Sequence, residues 1–158
     1  MPSVIPPEFE LDKSTNLHFT GDPKVIDVEQ YRLAITGKVD EPLSLTYDDL
    51  RCMPKISSLA TLNCPYTFID KAEWSGVRLA DLLKRAELQD GAANIVLISA
   101  DGWEAKINVK DALLPENFLA YEWEGEPLPI IHGFPVRAVF PNLTGTYWSK
   151  WVTEIRVE

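Results

Sequence analysis

Metal-binding and redox side chains are scarce in this chain, which holds two cysteines, two histidines and two methionines among 158 residues. Cys52 and Cys64 have no CxxC neighbour, and His18 and His132 lie far apart in sequence. Zinc-finger spacing is therefore absent and no structural zinc is expected. Nothing beyond the presence of two thiols favours a Cys52–Cys64 disulfide. Basic charge is also in short supply: 15 Lys+Arg against 24 Asp+Glu leave a net charge of −9. That balance argues against a nucleic-acid binder, which shows a basic stripe, and against docking on an anionic membrane surface. Long apolar runs are missing too. Stretches such as Ile95–Ser99 and Val136–Phe140 fall far short of the roughly 20 residues of a transmembrane segment. Met1–Glu10 has neither a basic n-region nor an apolar h-region, so the expected location is cytoplasmic, or extracytoplasmic if an export signal has been trimmed away. What the chain does have is 46% hydrophobic residues, five Trp and twelve Pro, the composition of one loop-rich globular domain.

Residues 1–24 are polar, carry Pro2, Pro6, Pro7 and Pro23, and read as an extended lead-in to a domain over 25–158. Regular structure is expected to begin at Tyr31–Val39, where Tyr31, Leu33 and Ile35 alternate with Arg32, Ala34 and Thr36 until Gly37 stops the strand. Thr46 has the character of an N-cap, with Asp48 and Asp49 in the first turn of a helix ending near Met53–Pro54. Ser57–Asn63 reads as a strand that delivers Cys64. Leu79–Ala86 is the clearest helix, with Leu79, Leu82 and Leu83 on one stripe. Asn94–Ala100 and Glu104–Val109 flank a hairpin signal at Asp101-Gly102. A helical turn at Lys110–Leu114 and strands at Leu119–Trp123, Pro135–Phe140 and Trp148–Val157 complete the pattern. The fold class is α+β: a strand-rich mixed sheet domain with short helices.

Cys64 stands at a strand-to-loop junction, where Pro65 removes a backbone donor and holds the exit of the chain. As a thiolate it is a nucleophile or a soft-metal ligand; as a thiol it is a small buried hydrophobe. Cys52, beside Leu50 on a helix face, reads as core. A second constellation is His132-Gly133-Phe134-Pro135-Val136-Arg137 followed by Lys150-Trp151. It brings an imidazole, a guanidinium and an ammonium to where they can converge on a phosphorylated small ligand; the bland alternative is two surface cations and a loop histidine. A Cys64–His132 hydrolase oriented by Asp101 is another reading. The acidic run Glu122, Glu124 and Glu126 would lie on one strand face as a carboxylate pair for glycoside chemistry, or simply as a solvated surface.

Taken in order, Tyr31-Arg32-Leu33-Ala34-Ile35-Thr36-Gly37, Leu62-Asn63-Cys64, Trp74-Ser75-Gly76-Val77, Asp101-Gly102-Trp103, Gly125-Glu126-Pro127-Leu128-Pro129, His132 to Arg137 and Lys150-Trp151-Val152 resemble the molybdopterin-binding oxidoreductase domain of the sulfite oxidase family. The resemblance runs from about Ile26 to Val157. It implies that Cys64 is the metal and catalytic thiolate ligand, beside the dithiolene sulfurs of a molybdenum-molybdopterin cofactor. It implies that His132 and Arg137 contact the pterin and its phosphate, with Lys150 and the backbone at Trp148 and Ser149 nearby. Asp101 and Trp103 then fall on a hairpin facing the metal and a small-molecule substrate. The implied chemistry is oxygen-atom transfer, with a separate electron-transfer partner. Two departures stand out. Pro65-Tyr66-Thr67-Phe68-Ile69-Asp70 follows the cysteine without the arginines that grip sulfite, so sulfite is a poor fit. The family's longer N-terminal section and its haem and dimerisation domains are not in these residues, which brings the methionine-sulfoxide reductase branch closer by domain content. A cofactor-free binding module on the same fold is the alternative from outside enzyme chemistry.

Overall fold

The computed structural model describes residues 9–20, 23–64 and 68–158, without the side chains of residues 9, 10, 20, 63, 64 and 68. Among the described residues, twelve strands and three short α-helices follow in chain order. A hairpin of β1 (Phe9–Asp12) and β2 (Leu17–Thr20) precedes β3 (Leu33–Gly37), β4 (Leu43–Leu45) and α1 (Tyr47–Arg51). Next come the long strands β5 (Lys55–Cys64) and β6 (Phe68–Arg78), then α2 (Leu79–Ala86). The chain continues through β7 (Asn94–Ser99), β8 (Glu104–Asn108), α3 (Val109–Ala112), β9 (Phe118–Trp123) and β10 (Glu126–Pro127). It ends with β11 (Arg137–Val139) and β12 (Val152–Val157).

One sheet runs β10-β9-β6-β5, with β11 also paired to β9; the other runs β4-β3-β12-β7-β8. The second is mixed, because β12 lies parallel to β3 and antiparallel to β7. Buried residues of both sheets and of α2 join in one hydrophobic cluster. The alternation over residues 31–36 places Tyr31, Leu33 and Ile35 inside, and the Tyr31 hydroxyl donates to the Val152 carbonyl, tying the start of β3 to β12. The apolar stripe of α2 buries Leu79, Leu82 and Leu83 completely. Thr46 caps α1: its hydroxyl accepts from Asp49 N while the Asp49 carboxylate accepts from Thr46 N, a reciprocal capping box.

Several expectations change. Regular structure starts before Tyr31, since β1 and β2 pair antiparallel within the segment read as extended. The turn between them carries no Asn-Gly signal; the Asp12 carboxylate builds it instead, accepting from Ser14 N, Ser14 Oγ and Thr15 Oγ1. Cys52 is exposed rather than core, because α1 stops at Arg51 and leaves the cysteine as its C-cap. The last strand begins at Val152, not Trp148, since Trp151 takes a left-handed φ of 55° that no strand accommodates. Glu122, Glu124 and Glu126 do not share a strand face, because Glu124 and Gly125 form the β9–β10 turn with positive φ. Glu122 pairs with Lys55 at 2.7 Å, and Glu124 accepts from Glu73 N at 2.9 Å.

Candidate functional site

The segment Ile130–His132 is a single 3₁₀ turn ended by Gly133 at φ 116°. Glycine is required there twice over: for the positive φ, and because a Cβ would come within 2.9 Å of the Arg137 Cβ and 3.3 Å of the Lys150 Cβ. The chain can therefore fold the 148–151 segment down against β11. Ala138 N donates to Ser149 O at 2.8 Å and Val152 N to Val136 O at 3.0 Å. Three consecutive carbonyls of the turn then accept from three side chains. Trp151 Nε1 reaches Ile130 O at 2.9 Å, Lys150 Nζ reaches Ile131 O at 3.0 Å and Arg137 Nη1 reaches His132 O at 3.1 Å.

Arg137 is 4% exposed. Its guanidinium carbon stands 4.7 Å from the Trp74 ring centroid and 5.7 Å from that of Trp148, and the two indoles meet edge to face. Trp74 was legible only as part of a motif; its role here comes from β6, whose alternation turns Asp70, Ala72 and Trp74 inward. Burial lowers the Arg137 pKa to about 10, and Asp70 opposes that shift. Burial also lowers Lys150 to about 8, with Arg137 adding to the shift and Asp101 opposing it. Among the described residues no carboxylate makes an ion pair with either cation. Arg137 Nε and Ser149 Oγ are buried without a partner there. A buried guanidinium held by a neutral carbonyl and aromatic faces, with Asp70 beyond ion-pair distance, keeps its charge available to an anionic ligand. A phosphate-bearing cofactor fits this end of the site.

The backbone N–H groups of Trp148 and Ser149, implied by the resemblance to lie near the phosphate, already bond to the carbonyls of Gly145 and Tyr147 at 3.1 and 2.9 Å. The Trp148 indole N–H donates to Phe140 O at 2.8 Å. What Ser149 has to offer is its hydroxyl. Asp101 and Trp103 sit on the turn between β7 and β8, both exposed. Asp101 Oδ1 accepts from Trp103 N, and Trp103 Nε1 donates to Thr146 O at 3.2 Å. Asp101 thus belongs to the electrostatic surroundings of Lys150. Cys64 ends β5 opposite Phe68 in the backbone register. Its side chain, and Pro65, Tyr66 and Thr67, lie outside the described residues.

His132 has company that sequence reading missed. Its ring is buried, and Nε2 lies 2.8 Å from Asp12 Oδ2 and 3.0 Å from Thr15 Oγ1, both from the β1–β2 hairpin. Burial lowers the His132 pKa to about 4, against the pull of Asp12. Asp12, although burial works to raise it, is held at about 2 by hydrogen bonds from Ser14, His132 and Thr15. On the same hairpin, His18 N and Nδ1 both meet the buried Asp70 carboxylate, Nδ1 at 2.7 Å. Asp70 was detectable as an acid on the inward row of a strand; Asp12 carries no such signal, being 120 residues from its partner.

The site is thus a strand-rich domain's anion-facing corner: a buried Arg137 and a half-buried Lys150, neither ion-paired among the described residues, beside a His-Gly-Phe-Pro turn. Residues 20–158 match the family described as the oxidoreductase molybdopterin binding domain, and the chain belongs to that family. It is 32% identical over 155 residues to the uncharacterized oxidoreductase YuiH of Bacillus subtilis (strain 168), covering 96% of this chain and 78% of that protein. It is 34% identical to the mitochondrial sulfite oxidase of Mus musculus, over 84% of this chain but only 30% of the mouse protein. Among solved structures, the sulfane dehydrogenase SoxCD from Paracoccus pantotrophus superposes with a TM-score of 0.85 at 24% identity, over 99% of this chain and 44% of that one. That likeness is one of fold. No described helix is long and apolar enough to cross a membrane.

Proposed function

We propose that this chain binds a molybdenum-molybdopterin cofactor and serves as the oxidoreductase domain acting on a small-molecule substrate. The observation that carries the reading is the pair of a buried Arg137 and a half-buried Lys150, neither with a carboxylate partner among the described residues. In this reading Arg137, Lys150 and the Ser149 hydroxyl hold the phosphate end, with Trp148 fixing Arg137 through its indole face. The His132 carbonyl holds Arg137 in place on the pterin side, Cys64 supplies the thiolate to the metal, and Asp101 and Trp103 border the substrate side. The bound cofactor would supply a two-electron centre for oxygen-atom transfer. The chain's own part is to fix the anion. Lys150 stays charged at neutral pH, its pKa being about 8. Trp74 and Trp148 keep water from the guanidinium by packing on it. Electrons pass to or from a separate partner protein.

The test is metal analysis of protein purified from a host that makes the cofactor. About one molybdenum per chain is expected, as for a mononuclear site. Cys64→Ser should keep the fold, alter the metal's absorption spectrum and abolish turnover of sulfoxides and N-oxides. Arg137→Met should lower molybdenum content while Cys64 is intact. Wild-type protein that emerges folded from that host without molybdenum overturns the reading in favour of a cofactor-free binding module.

A further inference from the structure

We propose that the β1–β2 hairpin is an acid-released cover of the candidate site, anchored through Asp12 on His132 and through His18 on Asp70. All but its final residue precede the span that matches the family. The chain has two histidines, and both hold this hairpin to the body. The exchange is reciprocal: the hairpin gives a carboxylate to a body histidine at 2.8 Å and a histidine to a body carboxylate at 2.7 Å. Both body partners adjoin Arg137, whose Nη1 donates to the His132 carbonyl and whose charge feels Asp70. The Phe19 ring meets the His132 ring edge-on at 6.3 Å, and Leu17 is buried in the common core. The hairpin therefore seals the imidazole, which is 1% exposed.

Protons act on this contact with a definite sign. A carboxylate only accepts, so Nε2–H is the donor to Asp12 and the sealed ring is neutral with its proton on Nε2. The charged groups facing the ring are Asp12 from β1, Arg137 from β11 and Lys150 from the segment before β12. Burial and the two cations disfavour a second proton; Asp12 alone favours it. Lifting the hairpin returns the ring to water, where an imidazole takes up a proton near pH 6.5. Acid therefore favours the open form. With the sealed ring titrating at about 4, the open-to-closed ratio rises roughly twentyfold between about pH 7 and pH 5. The Asp12–His132 contact titrates whichever phosphorylated anion occupies the site, so failure of the cover and failure of the cofactor reading are separable.

Hydrogen–deuterium exchange of the full chain, followed on the peptide spanning residues 9–20 and corrected for intrinsic exchange, tests it. Wild-type protein should open about twentyfold more on acidification from about pH 7 to 5. His132→Gln keeps an N–H donor for Asp12 but cannot titrate, and its hairpin should show no such rise. Asp12→Asn keeps an acceptor but loses the charge, and should open more than wild type already at neutral pH. Equal protection of wild type at both pH values, or the same rise in His132→Gln, overturns the proposal. If His132→Gln fails to fold, unchanged protection in Asp12→Asn at neutral pH overturns it instead.

Discussion

Arg137 and Lys150 are held in place by the carbonyls of His132 and Ile131 rather than by acids, so their positions are fixed while their charges stay available. Such cations lose their hold on an anion only when one of them gives up its proton, and Lys150 is the weaker acid-base guard of the two. Its pKa, lowered by burial to about 8, sets the sign: charged below that pH, neutral above it. Inorganic sulfate keeps its charge over this range and is the suitable probe. Titration calorimetry on cofactor-free protein should show affinity falling as pH rises through about 8, by roughly tenfold on loss of one partly buried cation. Lys150→Met should bind weakly at every pH, without that slope. The two cations were legible in the sequence because each sits in a motif. Their unpaired state was not, since it depends on where Asp70 and Asp101 lie in space.

At the scale of elements, α1 and α2 were the most legible parts of the chain because their signals are local. Thr46 and Asp49 satisfy each other's backbone donors within four residues, and the α2 stripe repeats at helical spacing. Thr46→Ala should cost about 1 kcal/mol. Leu82→Ala, in a site that is completely buried, should cost about 2–5 kcal/mol. Denaturant unfolding followed by circular dichroism measures both. The hairpin β1–β2 was illegible for the opposite reason. Its residues are polar, its turn is built by the Asp12 side chain, and its anchors His132 and Asp70 are distant in sequence.

For the molecule as a whole, the decisive fact is that both sheets and α2 contribute to one cluster, with β12 inserted between β3 and β7. Neither sheet can lose its partner and remain buried, so the body should unfold as one cooperative unit. Tryptophan fluorescence, which reports Trp74 and Trp148 near the site, and far-ultraviolet circular dichroism should give coincident transitions. Separated midpoints would show the two sheets to be independent. The chain spans 78% of the Bacillus relative but 30% of mouse sulfite oxidase, and site, substrate and electron partner rest with the proposals above.

The sequence by itself determined the elements whose cause is local: the period-two strands, the capped α1, the striped α2, the Asp101-Gly102 turn and the His-Gly-Phe-Pro turn beside a lysine. It also carried the family, through the order of short motifs along the chain. Only the tertiary structure decided that three side chains bind three successive carbonyls, that Trp74 faces Arg137, and that an N-terminal hairpin seals His132. These are contacts between residues far apart in the chain. Their energies depend on burial and on the placement of charges, and neither exists until the sheets have closed around them.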